Sequence, residues 1–146
     1  MTNIFKNKKI LVAGGTGLIG QQLVPKLINL GGKVFVASLD DKSLINNKIE
    51  DFYNLDLMNL DNCIKITKDK EIVFNLLGVT GTPKIGLEKP ASFMMSNIYC
   101  AINLLMAAQI SKVKKYLYTS TYGVYGHGSV MKENDVWKTF PSENSK

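Results

Sequence analysis

The sequence predicts an α/β fold with a doubly wound parallel sheet that is covered by helices on both faces. Short runs rich in β-branched residues alternate along the chain with segments whose apolar residues recur every three to four positions. The first run passes directly into a glycine-rich turn, in which Gly14, Gly17 and Gly20 are evenly spaced. A strand, a glycine turn and an amphipathic helix in this order are typical of the first crossover of such a sheet.

Five strands and three helices are predicted along the chain. The strands span 9–13, 34–38, 51–57, 71–77 and 115–120, and the helices span 18–30, 59–68 and 91–110. Residues 79–90 contain two glycines and two prolines, which predicts a loop. Residues 122–146 show no periodic element, and this stretch is long for a loop within a compact domain. We therefore expect the sheet to be truncated after its fifth strand.

Composition argues against several classes of function. The 146 residues, of which 45% are hydrophobic, fit one domain with a core of its own. The chain has neither a membrane-length apolar run nor a signal-peptide core, so we expect a cytoplasmic protein with no membrane partner. Two cysteines and one histidine match no metal-ligand spacing, so no metal site is expected. The lysines behind the net charge of +6 are dispersed and no arginine is present, which argues against nucleic acid as a partner.

The glycine spacing indicates a dinucleotide site. Gly14 would permit a tight turn, Gly17 would let the backbone approach a pyrophosphate, and Gly20 would allow the helix to pack closely on the sheet. The N–H groups at the start of the helix would hold the phosphates. Because the turn lies between the first strand and the first helix, we expect a Rossmann-like domain.

The choice between NAD and NADP depends on the end of the second strand. Asp40 lies 20 residues after Gly20, where a carboxylate commonly accepts hydrogen bonds from ribose hydroxyls. A carboxylate there repels a 2′-phosphate and favours NAD. Alignment of the strands by Gly31 instead places Ser38 at this position, and serine tolerates NADP. We expect NAD as the cofactor, with NADP as the alternative.

The segment 13–20, AGGTGLIG, resembles the TGxxGxxG fingerprint of the extended short-chain dehydrogenases/reductases, in particular the NAD-dependent epimerase/dehydratase family that acts on nucleotide sugars. Alanine replaces the family's leading threonine. The resemblance extends to the N-terminal part of that family only. It implies a cofactor loop formed by Gly14, Gly15, Thr16, Gly17, Leu18, Ile19 and Gly20.

Further matches follow in the family's order along the chain. An acidic–apolar pair after the third strand resembles the pair that contacts adenine. The NLLG segment at 75–78 resembles the strand end that passes under the cofactor, with asparagine in place of the common histidine. An asparagine in the third helix matches the family residue that braces the active-site strands. The resemblance thereby assigns to the cofactor site Asp56, Leu57, Leu76, Leu77, Gly78 and Asn97.

The segment 119–126, TSTYGVYG, resembles the family's SS(S/T)xxVYG at the end of the fifth strand. It implies that Thr121 is the catalytic hydroxyl, which would bond the substrate hydroxyl or carbonyl during hydride transfer. The family's chemistry also needs a tyrosine with a lysine four residues later, and none of the six tyrosines here has one. We therefore interpret residues 1–121 as the dinucleotide-binding core and 122–146 as an active-site loop that leads toward a missing tyrosine/lysine segment.

These observations imply the cofactor-binding N-terminal portion of an NAD(P)-dependent nucleotide-sugar epimerase or dehydratase, an isomerase or oxidoreductase. The alternative is a catalytically inactive dinucleotide-binding module that acts as a sensor or assembly partner. In the first case a nucleotide sugar is the substrate once a C-terminal part is supplied, and we expect no turnover by this chain alone. Apolar surface at the open edge of the sheet further predicts a homodimer or a partner chain.

Overall fold

The computed structural model of the chain describes residues 3–78, 90–125 and 132–135. Within these ranges it contains a parallel five-stranded sheet and three α-helices, so the predicted fold class is confirmed. Apart from the third strand, the element ends lie within two residues of the predicted ones. The elements are β1 (Lys9–Ala13), α1 (Leu18–Asn29), β2 (Lys33–Ala37), β3 (Asp51–Tyr53), α2 (Leu60–Thr67), β4 (Ile72–Asn75), α3 (Pro90–Ile110) and β5 (Lys115–Tyr118).

The strands lie in the order β3-β2-β1-β4-β5, and every neighbouring pair is parallel. Strands β2 and β3 are added in turn on one side of β1. Helix α2 then leads back across the sheet, and β4 and β5 are added on the other side of β1. The carboxyl ends of the central strands are level, because Ala13 of β1 pairs with both Ala37 of β2 and Asn75 of β4. The crevice outside the carboxyl ends of β1 and β4 is the switch point at which open α/β sheets bind ligands.

Strand β1 lies at the centre of the sheet and is buried on both faces. Leu11 and Ala13 pack with α2 and α3, whereas Ile10 and Val12 pack with α1, and all four side chains are fully buried. Full burial of a large aliphatic side chain contributes roughly 1.5–3 kcal/mol. This strand therefore anchors both helical layers, and its unbroken apolar sequence is the pattern expected of a parallel strand covered on both sides.

Strand β3 is shorter than the sequence predicts. Its pairing with β2 ends at Tyr53, whereas the predicted strand continued to residue 57. Beyond Tyr53, side chains bind the local backbone: Asn54 Nδ2 donates to carbonyls of the loop after β2, and Asp56 Oδ1 accepts from the Met58 N–H at 2.9 Å. Such side-chain bonds compete with strand pairing, so the second half of this predicted strand is wrong.

Helix α3 is apolar on two sides, and its 21 residues include no charged side chain. One side, with Leu104 and Ala107, packs on α2 and the sheet. The other side, called the α3 face below, consists of large apolar side chains that are 37% to 59% exposed: Met94, Met95, Ile98, Tyr99, Ile102, Leu105, Met106 and Ile110. Helices that are apolar all round are normally buried. No helix in the described part of the chain combines the length and apolar character that crossing a membrane requires.

The amino edge of the sheet, opposite the switch point, carries an ion-pair cluster. Lys8 Nζ donates to Glu71 Oε1 at 2.8 Å, and Lys114 Nζ lies 3.3 Å from the same oxygen. These bonds, the one from Lys8 above all, lower the pKa of Glu71 to about 2. One carboxylate thus joins the start of β1 to the start of β5 through β4.

Acidification should destabilise the fold through Glu71. Its folded-state pKa of about 2 lies below the ordinary value of 4.5. As the pH falls through that interval, the unfolded chain binds a proton that the folded chain does not, so stability present at neutral pH is lost. Thermal unfolding followed by circular dichroism from neutral pH to about pH 2 should show this loss in the wild type and in the exposed-site control Glu50→Gln. The loss should be smaller in Glu71→Gln, and an unchanged profile in that variant would contradict the assignment.

Candidate functional site

A cleft of about 280 Å³ opens at the carboxyl edge of the sheet, at the switch point. It is bounded by the turn after β1, the segments that follow β2, β3 and β4, and the first half of α3. Its lining combines backbone amides, hydroxyls and carboxylates with apolar side chains, a composition typical of small-molecule sites. The lining residues are Gly14, Thr16, Gly17, Ser38, Leu39, Asp40, Leu55, Asp56, Leu57, Leu76, Leu77, Gly78, Ser96, Asn97 and Cys100.

Gly14 forms the turn that closes one wall of the cleft. Its φ of +80° lies in the left-handed region, and a Cβ there would lie 3.0 Å from the carbonyl group of Leu76. Its N–H donates to the Ala37 carbonyl at 2.8 Å, which extends the pairing of β1 with β2 into the turn. The backbone angle and the close approach of Leu76 together require glycine at this position.

Gly20 and Gly17 have different roles in this turn. A Cβ at Gly20 would overlap the carbonyl oxygens of Gly14 and Gly15, so only glycine lets α1 pack this closely. A Cβ at Gly17 would have one neighbour within contact distance, the Gly14 oxygen at 3.3 Å. Gly17 is also the N-cap of α1, and no side chain in the described part of the chain caps the helix there. The fold therefore leaves the space beside Gly17 and the first amides of α1 open to an anionic ligand.

A buried hydroxyl pair and a carboxylate form the wall beside β2. Thr16 and Ser38 are 3% and 6% exposed, and their hydroxyl oxygens lie 2.5 Å apart. The Thr16 hydroxyl also donates to Asp40 Oδ2 at 2.7 Å. Asp40 is therefore turned back toward the glycine turn, although it lies beyond the end of β2. The sequence left Ser38 and Asp40 as alternatives for one position, whereas the structure places both in the same hydrogen-bonded group.

Asn75 links the floor of the cleft to β5. Its side chain is fully buried; Oδ1 accepts from the Leu77 N–H at 3.0 Å, and Nδ2 donates to the Tyr116 hydroxyl at 2.9 Å. Its carbonyl accepts from the Thr119 N–H at 3.2 Å. Burial raises the pKa of the Tyr116 phenol, and the bond from Asn75 acts in the opposite direction. Asn75 thus fixes both the turn under the cleft and the start of the segment that carries Thr121.

Both cysteines are free thiols, with Cys63 buried in α2 and Cys100 half-buried at the cleft. Burial raises the pKa of Cys63 to about 12 and also raises the pKa of Cys100, and the negative charge of Asp56 adds to both effects. Nucleophilic cysteines require a lowered pKa, so neither thiol is activated. Among the described residues, no group of three or more potential ligands is arranged to hold a metal ion.

Most of the sequence-predicted site residues come together in the cleft. Leu18 and Ile19 do not: their side chains are 87% and 58% exposed and lie outside the lining. Gly15 and Gly20 lie within the packed turn, and Thr121 is exposed beyond the end of β5, also outside the lining. The predicted residues that line the cleft are Gly14, Thr16, Gly17, Ser38, Asp40, Asp56, Leu57, Leu76, Leu77, Gly78 and Asn97.

Four lining residues were missed by the sequence reasoning: Leu39, Leu55, Ser96 and Cys100. Helical spacing from Asn97 could have identified Cys100, which lies three residues later and hence on the same side of α3. Leu39 belongs to an irregular segment without periodic signal, whereas Leu55 alternates with Tyr53 and Leu57 within the predicted strand at 51–57, a signal of its orientation that was not used. Most of the predicted active-site loop, at 126–131 and 136–146, lies outside the described residues.

The chain resembles proteins of known activity over most of its length. It is 26% identical over 143 residues to GDP-mannose 3,5-epimerase 1 of Oryza sativa subsp. indica, a match that covers 92% of this chain and 38% of that protein. It is 30% identical to dTDP-D-glucose 4,6-dehydratase of Homo sapiens, covering 88% of this chain and 39% of that protein. A solved UDP-N-acetylglucosamine 4-epimerase from Methanobrevibacter ruminantium M1, in complex with UDP-N-acetylmuramic acid, matches with a TM-score of 0.79 and 30% identity, covering 94% of this chain and 45% of that chain.

A glycine turn at the switch point of a parallel sheet defines a Rossmann-like protein. The model of the NAD dependent epimerase/dehydratase family matches residues 10–145. The chain belongs to this family, and the match corresponds to the N-terminal portion of its members. The chain spans 38–39% of the length of the two curated relatives above. UDP-glucose 4-epimerase from Thermus thermophilus, solved in complex with NAD, shares the fold with a TM-score of 0.77 at 24% identity, covering 91% of this chain and 44% of that chain.

The two glycines of the turn should respond differently to alanine. Gly20→Ala forces a methyl group onto two carbonyl oxygens, and overpacking of this kind costs about 1–3 kcal/mol, which lowers the Tm by several degrees. Gly17→Ala brings its methyl group near one carbonyl oxygen, that of Gly14 at 3.3 Å, and should lower the Tm less than Gly20→Ala. Thermal unfolding of both variants measures the contrast. Equal losses would show that Gly17 is as tightly packed as Gly20.

Proposed function

We propose that this chain binds NAD in the cleft and forms the cofactor-binding part of a nucleotide-sugar epimerase or dehydratase. The observation that carries the proposal is the side of Gly17 that faces the cleft, where an added Cβ would have a single close neighbour, beside the uncapped start of α1 and in the same cleft lining as the Asp40 carboxylate. Family membership supports it, as do the names of the relatives, which describe enzymes of GDP-mannose and dTDP-D-glucose.

The residues of the cleft fit a dinucleotide. A pyrophosphate lies against Gly17 and the first amides of α1, where the backbone supplies donors and no Cβ intervenes. Leu39 and Leu55 provide apolar contacts for the adenine ring. When bound, NAD supplies a reversible hydride acceptor at its nicotinamide ring.

Asp40 favours NAD over NADP. Its carboxylate lies on the cleft wall and accepts hydrogen bonds, which suits the ribose hydroxyls of NAD. A 2′-phosphate at the same place would bring a second negative charge beside Asp40 and would offer it no donor.

Thr121 is the proposed catalytic hydroxyl. It follows β5, and the Thr119 N–H bond to Asn75 fixes the backbone two residues earlier. No tyrosine of this chain has a lysine four residues later, so the chain does not itself supply that pair for proton transfer. We expect the chain to bind NAD without converting a nucleotide sugar, a behaviour that an inactive binding module would share.

Titration calorimetry with NAD tests this proposal. The wild type and the exposed-loop control Asn47→Ala should bind NAD. Gly17→Ala should bind about ten- to a hundredfold more weakly, because the added methyl group occupies the pyrophosphate position at a cost of about 1–3 kcal/mol. NAD with UDP-glucose or dTDP-glucose should yield no product. Absence of NAD binding by the wild type, or unchanged affinity in a folded Gly17→Ala variant, would contradict the proposal.

We also propose that a second copy of this chain covers the α3 face. The chain carries a net charge of +6, so two copies repel each other overall, whereas α3 has no charged side chain and brings no like charges together. A two-fold axis would pack this helix on its own copy, with apolar side chains from both. Tyr118 of β5, which is 54% exposed and lies on the same face of the sheet as Tyr116, extends the apolar surface on the α3 side of the sheet.

Light scattering during size-exclusion chromatography tests this assembly. The wild type should elute as a dimer at micromolar concentration, and Ile102→Glu should be a folded monomer because it buries a charge in the interface. Leu44→Glu makes the same change at an exposed leucine far from α3 and should leave the dimer intact. A monomeric wild type, or a dimer that persists in Ile102→Glu, would exclude a second copy as the occupant.

A further inference from the structure

The Asp40 side chain is held in a fixed orientation by residues outside its own exposed segment. Ser38 directly follows β2, and Asp40 lies two residues further along, in an exposed segment. A carboxylate on such a segment is free to turn toward solvent. In the structure the carboxylate instead points toward the turn between β1 and α1. It is held there by the hydroxyl of Thr16, which lies in that turn, and by the buried hydroxyl of Ser38.

The hydrogen bonds around Asp40 form a closed ring. The Thr16 hydroxyl donates to Asp40 Oδ2 at 2.7 Å, and the Asp40 N–H donates to Ser38 Oγ at 3.2 Å. Thr16 has only one hydroxyl hydrogen, which Asp40 accepts. The Ser38 hydroxyl hydrogen can go to Thr16 Oγ1 at 2.5 Å or to Asp40 Oδ2 at 3.3 Å, and we assign it to Thr16 because that contact is the shorter. Every member of the ring both donates and accepts, so its geometry is set by three groups at once.

The backbone of the same segment is held from the other side. Asn54 Nδ2 lies 3.2, 3.0 and 3.3 Å from the carbonyl oxygens of Ser38, Leu39 and Asp40. One amide group thus spans the whole segment that carries the carboxylate. With the backbone held by Asn54 and the side chain held by the ring, Asp40 has little freedom to rotate away.

The ring uses only one oxygen of the carboxylate. Oδ2 accepts from Thr16 and, at 3.3 Å, lies near the Ser38 hydroxyl. Oδ1 accepts no hydrogen bond from any residue in the described ranges, although Asp40 lines the cleft. The arrangement therefore keeps one carboxylate oxygen for the protein and leaves the other for a ligand.

We propose that Thr16 is a positioning residue for cofactor choice: its buried hydroxyl, backed by Ser38, holds Asp40 so that Oδ1 accepts from the ribose hydroxyls of NAD and excludes a 2′-phosphate. The inference rests on the proposed binding of NAD in this cleft. A residue that only packs would affect the binding of NAD and NADP equally. Thr16 is instead expected to change the ratio of the two affinities, and only when Asp40 is present.

The test compares the affinities for NAD and NADP in the full chain by titration calorimetry. Thr16→Val keeps the shape of the buried side chain and removes its hydroxyl. It should lower the ratio of NAD to NADP affinity by about tenfold, the equivalent of one hydrogen bond to a charged group. Thr16→Ser should restore the ratio to within about threefold of the wild type. Asp41→Asn, a change of the neighbouring carboxylate that bonds the Ser43 N–H instead, should leave it unchanged.

A double-mutant cycle shows whether Thr16 acts through Asp40. In an Asp40→Asn background, Thr16→Val should change the ratio by less than about twofold, since the carboxylate that it positions is gone. If Thr16→Val does not fold, Ser38→Ala serves instead. It removes the other hydroxyl of the ring and should lower the ratio of NAD to NADP affinity in the same way. Equal weakening of NAD and NADP, or a full effect of Thr16→Val in the Asp40→Asn background, would overturn the inference. A wild type that binds neither dinucleotide would overturn the proposed function and this inference with it, whereas NAD binding with an unaltered ratio overturns this inference alone.

Discussion

The close approach of α1 to the turn after β1 is the constraint on which the site depends. Gly20 has no room for a Cβ between the carbonyl oxygens of Gly14 and Gly15, and this contact seats the first turn of the helix against the end of the central strand. The seat is rigid because β1 is buried on both faces. The amides at the start of α1 therefore lie at the switch point of the sheet, beside the ends of β2 and β4. A longer helix-to-sheet distance would keep the fold class and lose the cleft.

The fold was predictable because its signals are local. Strands buried on both sides give unbroken apolar runs, and α1 gives a helical stripe that begins at a glycine turn. The end of β3 was not predictable in the same way, since it depends on the Asn54 amide, which reaches carbonyls 14 to 16 residues earlier. The strand propensity of a sequence describes what a segment favours in isolation. Here a contact between two segments decides where the pairing of β3 with β2 ends.

The candidate site shows the same division. The glycine spacing and the segment at 75–78 identified residues of two walls from the sequence, as did Asn97 on α3. The sequence left Ser38 and Asp40 as alternatives for one position, because it does not show that Thr16, which is 24 residues away from Asp40, joins both in one hydrogen-bonded group. It also could not identify Leu39, which lines the cleft through the conformation of the loop after β2. Sequence motifs identify backbone features such as the glycine turn. Hydrogen bonds between side chains that are distant in the sequence are seen only in the folded structure.

The buried amide of Asn75 has a consequence for the open edge of the sheet. It joins the turn under the cleft, through Leu77, to β5, through Tyr116 and Thr119. A strand or helix that settles on β5 restrains those two residues and, through one side chain, the cleft floor as well. A ligand in the cleft and a protein at the edge would then favour the same arrangement, so each would raise the other's affinity by the same factor. Binding at the sheet edge and binding in the cleft would therefore be thermodynamically linked through the Asn75 side chain.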